Sequence, residues 1–188
     1  MEGAQEDIKK ESLKNLVDLY ELAREANKFC VFFDKTQGNV ATFFHYKARL
    51  KDFYKEIMKV DAGRQTKEEA VDVVREGIMW AAKVGTPIAV NFDNQNIDLV
   101  NEWNLPDALF DTNLIFDSKT FRENENYKKI LKPDEDVDDQ GNKGYYIMKK
   151  DYQLIFIFNY VSDDNVKEVM SKIPHGNTGF ETYVITNE

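Results

Sequence analysis

Four short segments of this chain are dense in apolar residues, and three of them stop at a polar side chain. FCVFF (29–33) precedes Asp34, IAVNF (88–92) precedes Asp93, QLIFIF (153–158) precedes Asn159, and FETYVI (180–185) follows later. Largely apolar runs of this length are the mark of strands covered on both faces. Between them the period changes to three and four residues, which marks helices. Residues 6–27 place Leu13, Leu16, Val17, Tyr20 and Ala23 on one stripe, widened by Leu19, Leu22 and Ala26. Lys10, Lys14, Asp18, Glu21 and Glu25 lie opposite. Residues 40–50 read as helix. Thr66–Val84 is a helix with both ends marked: Thr66 and Glu69 form a capping box, and Gly85 and Pro87 stop it. Residues 163–173 form another, with Asp163 and Asp164 at its positive end. Residues 96–104 present Leu99, Val100 and Trp103 on one side and predict a helix. FYKEIMKV (53–60) fits helix or strand. Tyr145–Met148 reads as extended, and 122–144 as a polar excursion whose most exposed part is DEDVDDQGNKG.

Helices alternating with apolar strands predict an α/β fold with a mostly parallel sheet and helices on both faces. The expected division is an N-terminal amphipathic helix (1–28) followed by one α/β domain (29–188) with an acidic loop at 122–144. The helix stripe either packs on its own domain or docks on a partner. The expectation is partial docking, with the C-terminal half near Leu19 and Ala23 packing inward.

Composition narrows the partners. The net charge of −9 leaves no excess of cations for nucleic acid or an anionic membrane surface, although a local basic patch is compatible with it. No apolar run nears the roughly 20 residues of a membrane span, and the first 15 residues lack the apolar centre of a secretory signal. The single cysteine, Cys30, lies inside an apolar run and reads as a buried thiol in a reducing compartment. A cytoplasmic location is expected.

The candidate chemistry lies where the strands end. In a parallel sheet Asp34, Asp93 and Asn159 meet on one edge, where ligands bind. After the first strand, Gly38 sits in a short loop ahead of a helix, the layout of a phosphate-binding loop. The working pattern, G-x-x-x-x-G-K-[ST], is not filled. Phe33 stands at the first glycine, Asn39 at the lysine and Val40 at the hydroxyl position. Other constellations are weaker. Asp136, Asp138, Gln140 and Gly141 imitate a calcium loop, but its twelfth position is Ile147. His45, His175 and Cys30 have no metal-ligand spacing, and no nucleophile sits in a recognisable elbow. Trp80 and Trp103 read as core or half-buried anchors.

On these strand ends the chain resembles the P-loop NTPases of the AAA+ class. It looks most like the divergent modules of dynein motors and the C-terminal domain of IQ-motif and ankyrin-repeat proteins. The resemblance covers roughly residues 29–185. It implies that IAVNFD with Asp93 matches the acidic magnesium-associated motif, LIFIFN with Asn159 the polar sensor, and FYKEIMKV the second strand. It implies a cytoskeletal or ciliary (axonemal) setting. Asn94 stands where a second carboxylate belongs, and Asn39 where the phosphate lysine belongs. The expected function is therefore a non-catalytic protein-interaction or structural module with no cofactor. Lys35, Thr36, Gly38, Asn39, Asp93 and Asn159 would form the binding set if a nucleotide were held unhydrolysed. The alternative is a nucleotide-binding ATPase, GTPase or small kinase using Lys35 or Arg49 against phosphate and Asp93 for magnesium. A calcium-responsive or small-molecule module built on the 134–144 loop is the third reading.

Overall fold

In the computed structural model, residues 8–188 are described. They form the strands and helices β1 (Lys9–Ser12), α1 (Leu16–Glu25), β2 (Phe29–Asp34), α2 (Asn39–Lys47), β3 (Arg49–Asp52), α3 (Phe53–Asp61) and α4 (Lys67–Val84). The chain continues through β4 (Pro87–Asp93), α5 (Thr112–Ile115), α6 (Asn124–Tyr127), β5 (Gln153–Asn159), α7 (Asp163–Ser171), α8 (Gly176–Gly179) and β6 (Phe180–Thr186). The fold is α/β. One six-stranded sheet runs in the order β1-β6-β2-β5-β4-β3, and every pairing is parallel. The four apolar segments seen in the sequence are its four central strands.

Each of these strands sends alternate residues to opposite faces. Phe29, Val31 and Phe33 of β2 join one buried cluster with Ile88, Val90, Phe92, Leu154, Phe156 and Phe158, covered by α3, α4 and α7. Cys30 and Phe32 join the other with Ala89, Ile155, Ile157, Tyr183 and Ile185, covered by α1 and α2. Burial pushes the Cys30 thiol up, so it stays protonated. No helix of the described residues is long and apolar enough to cross a membrane.

Several local expectations are corrected. The N-terminal helix is shorter than its stripe. Residues 9–12 are strand β1, Leu13–Asn15 is a 3-10 turn capped by Ser12, and α1 begins only at Leu16. Pairing with the open edge of β6 satisfies backbone groups over Lys9–Ser12 and outweighs the helical period there. Residues 6 and 7 of that expected helix lie outside the described residues. Along the stripe, Leu16, Leu19, Tyr20 and Ala23 are buried on the sheet, Leu13 and Val17 pack half-buried beside them, and Leu22 is exposed. The helix after the glycine loop stops at Lys47, and Arg49–Asp52 is the half-buried edge strand β3. FYKEIMKV is therefore helix α3 and not the strand implied by resemblance: Phe53 and Ile57 bury one stripe. Residues 96–104 are turns. The Asp98 carboxylate accepts the amides of Val100 and Asn101 at 2.9 Å each, a local turn that no helix follows, while Leu99 and Trp103 still fill the core. Tyr145–Met148 is not a strand; Tyr146 is buried and donates its hydroxyl to the Met79 carbonyl at 2.6 Å.

The 122–144 excursion is anchored over its first part. Tyr127 and Ile130 are buried. Arg75 in mid-α4, with no exposed surface, donates to Asp72 at 2.7 Å, to both Glu135 oxygens at 2.7 and 3.0 Å, and to the Ile130 carbonyl at 3.0 Å. Burial works against the Asp72 carboxylate, but hydrogen bonds from Lys132 and Arg75 outweigh it and hold its pKa below the ordinary value. That contribution to stability is present above the ordinary aspartate range and is lost as pH falls through the lowered value.

Replacing Arg75 by Met keeps the bulk and strands two carboxylates. It should cost about 3 kcal/mol, read from denaturant midpoints, and open residues 131–144 to limited proteolysis. Leu16→Asp puts an unpaired charge under the sheet. It should cost about 3 kcal/mol or more, seen as a fall in melting temperature.

Candidate functional site

The strand ends meet as the sequence implies. Asp34 and Asn159 are register partners across β2 and β5, and a register shift between Asn91 and Asp93 sets Asp93 opposite Phe158. Together with the glycine loop they border a cleft of about 490 Å³ at the carboxyl edge of the sheet.

The loop is organised by one carboxylate. Asp34 is buried at the end of β2. Its Oδ1 accepts the Thr36 amide at 2.6 Å and the Thr36 hydroxyl at 2.5 Å. Its Oδ2 accepts the amides of Gly38 at 3.0 Å and Val40 at 3.3 Å. Backbone N–H groups that converge ahead of a helix are the donors an anion would use. Here the chain's own side chain takes them. Gln37 and Gly38 both have positive φ, 63° and 93°, and the pair turns the chain into α2. A Cβ on Gly38 would meet nothing within 4 Å, so glycine is required there for conformation and not for space. Gln37 has no such freedom, and the charge-assisted bonds to Asp34 offset its strain.

Asn39, at the position of the phosphate lysine, folds back and donates to the Thr36 carbonyl at 2.8 Å. Thr36 is itself buried behind the loop. Neither lines the cleft. Lys35, Gly38, Asp93 and Asn159 do. Lys35 holds its ammonium 5.1 Å from the centre of the Tyr160 ring. Arg49, the other cation considered for phosphate, starts β3 and stacks 4.5 Å over Trp80, off the cleft.

The far wall is a network of amides. The Asn159 side chain donates to the Asp93 carboxylate and to Asn94 Oδ1, the latter at 3.2 Å. Asp93 has φ 55°. Its amide donates to Asn91 Oδ1 at 3.1 Å, and Asn91 donates in turn to Asp52 at 3.1 Å. Asn94, which the sequence places after Asp93, also lines the cleft, as do Asn91, Gln37 and Tyr160, which did not stand out in the sequence. The available signal was Asn91, a polar residue interrupting the apolar run IAVNF. The cleft is thus walled by neutral amides around two carboxylates and one lysine, which is unfavourable for a polyphosphate.

The calcium-like loop uses its acids internally. Asp138 accepts the Gln140 amide at 2.9 Å and the Asn142 amide at 2.8 Å, and Asp136 accepts the Tyr146 amide at 2.9 Å. Among the described residues no group of three or more His, Cys, Asp or Glu side chains is placed to hold a metal ion. Comparison with protein-family models, curated proteins and solved structures finds no match.

Asp34→Ala should free the loop donors and lower stability by about 2 kcal/mol. Faster hydrogen exchange confined to the Thr36, Gly38 and Val40 amides is the signature to measure.

Proposed function

We propose that this chain is a non-catalytic, NTPase-like module that acts as a protein-interaction or structural unit. The observation that carries the proposal is the Asp34 carboxylate seated on the loop amides. A working phosphate loop offers those amides, a lysine and a hydroxyl to the ligand. In this loop the amides are occupied by a fixed negative group, the lysine position is an asparagine tied to Thr36, and the hydroxyl position is the buried Val40. A phosphate would have to displace Asp34 and then lie beside it.

The NTPase-like part of the proposal is supported by position. The glycine loop follows a central strand, an acid ends β4, a polar residue ends the strand between them, and all three face one cleft. The cytoskeletal or axonemal setting comes from the resemblance alone. The alternative of an atypical nucleotide enzyme has Lys35 and Asp93 at the cleft in its favour. It lacks Arg49, which lies elsewhere, and a free set of phosphate-binding amides.

Purified protein should hydrolyse neither ATP nor GTP above background. Neither nucleotide with magnesium, nor calcium, should raise its melting temperature; a ligand at about 100 times its dissociation constant would add about 2.7 kcal/mol. Turnover that disappears with Asp93→Ala would restore the enzyme reading.

A further inference from the structure

The sheet end opposite the cleft carries a second concavity of about 300 Å³. It forms where α1 ends and where residues 148–150 run toward β5. Arg24, Arg122, Lys149 and Lys150 line it with Asn27 and Met148, and no carboxylate does. Four cations without an acid are unexpected in a chain of net charge −9. Among the described residues none of the four joins an ion pair.

Structural duties account for only part of this charge. Arg122 is half-buried, 5.5 Å from the centres of the Phe29 and Tyr152 rings, and donates to the Tyr152 carbonyl at 2.8 Å and to Gln153 Oε1 at 3.3 Å. Those bonds leave three of its five N–H donors. Arg24 makes one long bond, 3.4 Å, to the Asp151 carbonyl. The carboxyl end of α1 presents about half a negative charge, too little to balance four cations. Lys149 and Lys150 are exposed and their ammonium groups make no hydrogen bond within the described residues. Burial, with the Arg24 charge adding to it, pushes the Arg122 pKa below its ordinary value. An anion in the concavity would relieve both.

We propose that this concavity binds a phosphate group, at a site separate from the cleft and independent of whether the cleft is silent. The half-buried guanidinium fork of Arg122 and the two exposed lysines can meet several oxygens of one dianion. A single carboxylate has one charge and two oxygens and would leave most of the positive charge unmatched.

The test is calorimetric titration of the intact chain with pyrophosphate at fixed ionic strength, with acetate as control. Saturable pyrophosphate binding is expected. The double substitution Lys149→Gln with Lys150→Gln should weaken it about tenfold or more, while Lys35→Gln in the cleft leaves it unchanged. Both lysines are exposed, so the double variant should fold. A phosphoserine peptide and glycerol phosphate then tell whether protein or small molecule presents the group; tighter binding of either than of acetate upholds the site. No saturable binding, acetate binding as tightly as pyrophosphate, or loss with Lys35→Gln but not with the double substitution would overturn it.

Discussion

An all-parallel sheet must bury both of its faces, because every connection between neighbouring strands has to cross over one of them. That constraint governs this molecule. It makes β2 buried from Phe29 to Asp34 and leaves β4 and β5 almost wholly apolar. Polar chemistry is thereby displaced to the strand ends. The same constraint recruits α1 and α2 to one face and α3, α4 and α7 to the other. The cleft, its amide wall and the basic concavity lie at the two open ends of this layered core.

At the carboxyl end, the Asp34 carboxylate serves the loop rather than a ligand. Four donors converge on it, which fixes the approach of α2 and lets Gln37 hold a conformation costly for a residue with a side chain. A scaffold that would otherwise attract an anion is thereby completed from within. On the opposite wall Asn159 donates to the Asp93 carboxylate and Asn91 accepts the Asp93 amide. The outcome is a concave surface rich in oriented amides, with its charges already engaged.

The sequence shows the fold most clearly where burial is strongest. The four central strands and helix α4, with its Thr66 cap and Gly85 stop, follow from apolar pattern and capping chemistry. It misleads where tertiary pairing decides. Lys9–Ser12 continues the period of α1, yet β6 offers it a ladder that only the assembled sheet contains. Arg49–Asp52 is too short and too polar to announce a strand, and FYKEIMKV beside it has the apolar content to suggest one. For the site, the strand-end residues and the missing lysine were legible. That Asp34 would turn onto the loop amides, or that Arg24, Arg122 and Lys149 would share a concavity, depends on contacts between distant segments that no local pattern encodes.

The outermost ladder couples the two ends of the described chain. Lys9–Ser12 pairs with Tyr183–Thr186, and the Thr186 hydroxyl reaches the Glu11 carbonyl 175 residues away. During synthesis β1 has no partner until β6 has left the ribosome, and among the described residues β6 alone covers the free side of β2. The sheet therefore cannot close vectorially. Until β6 has emerged, this long-range closure stays pending and an apolar central strand stays an open edge. The nascent chain must be kept from aggregating over that whole interval.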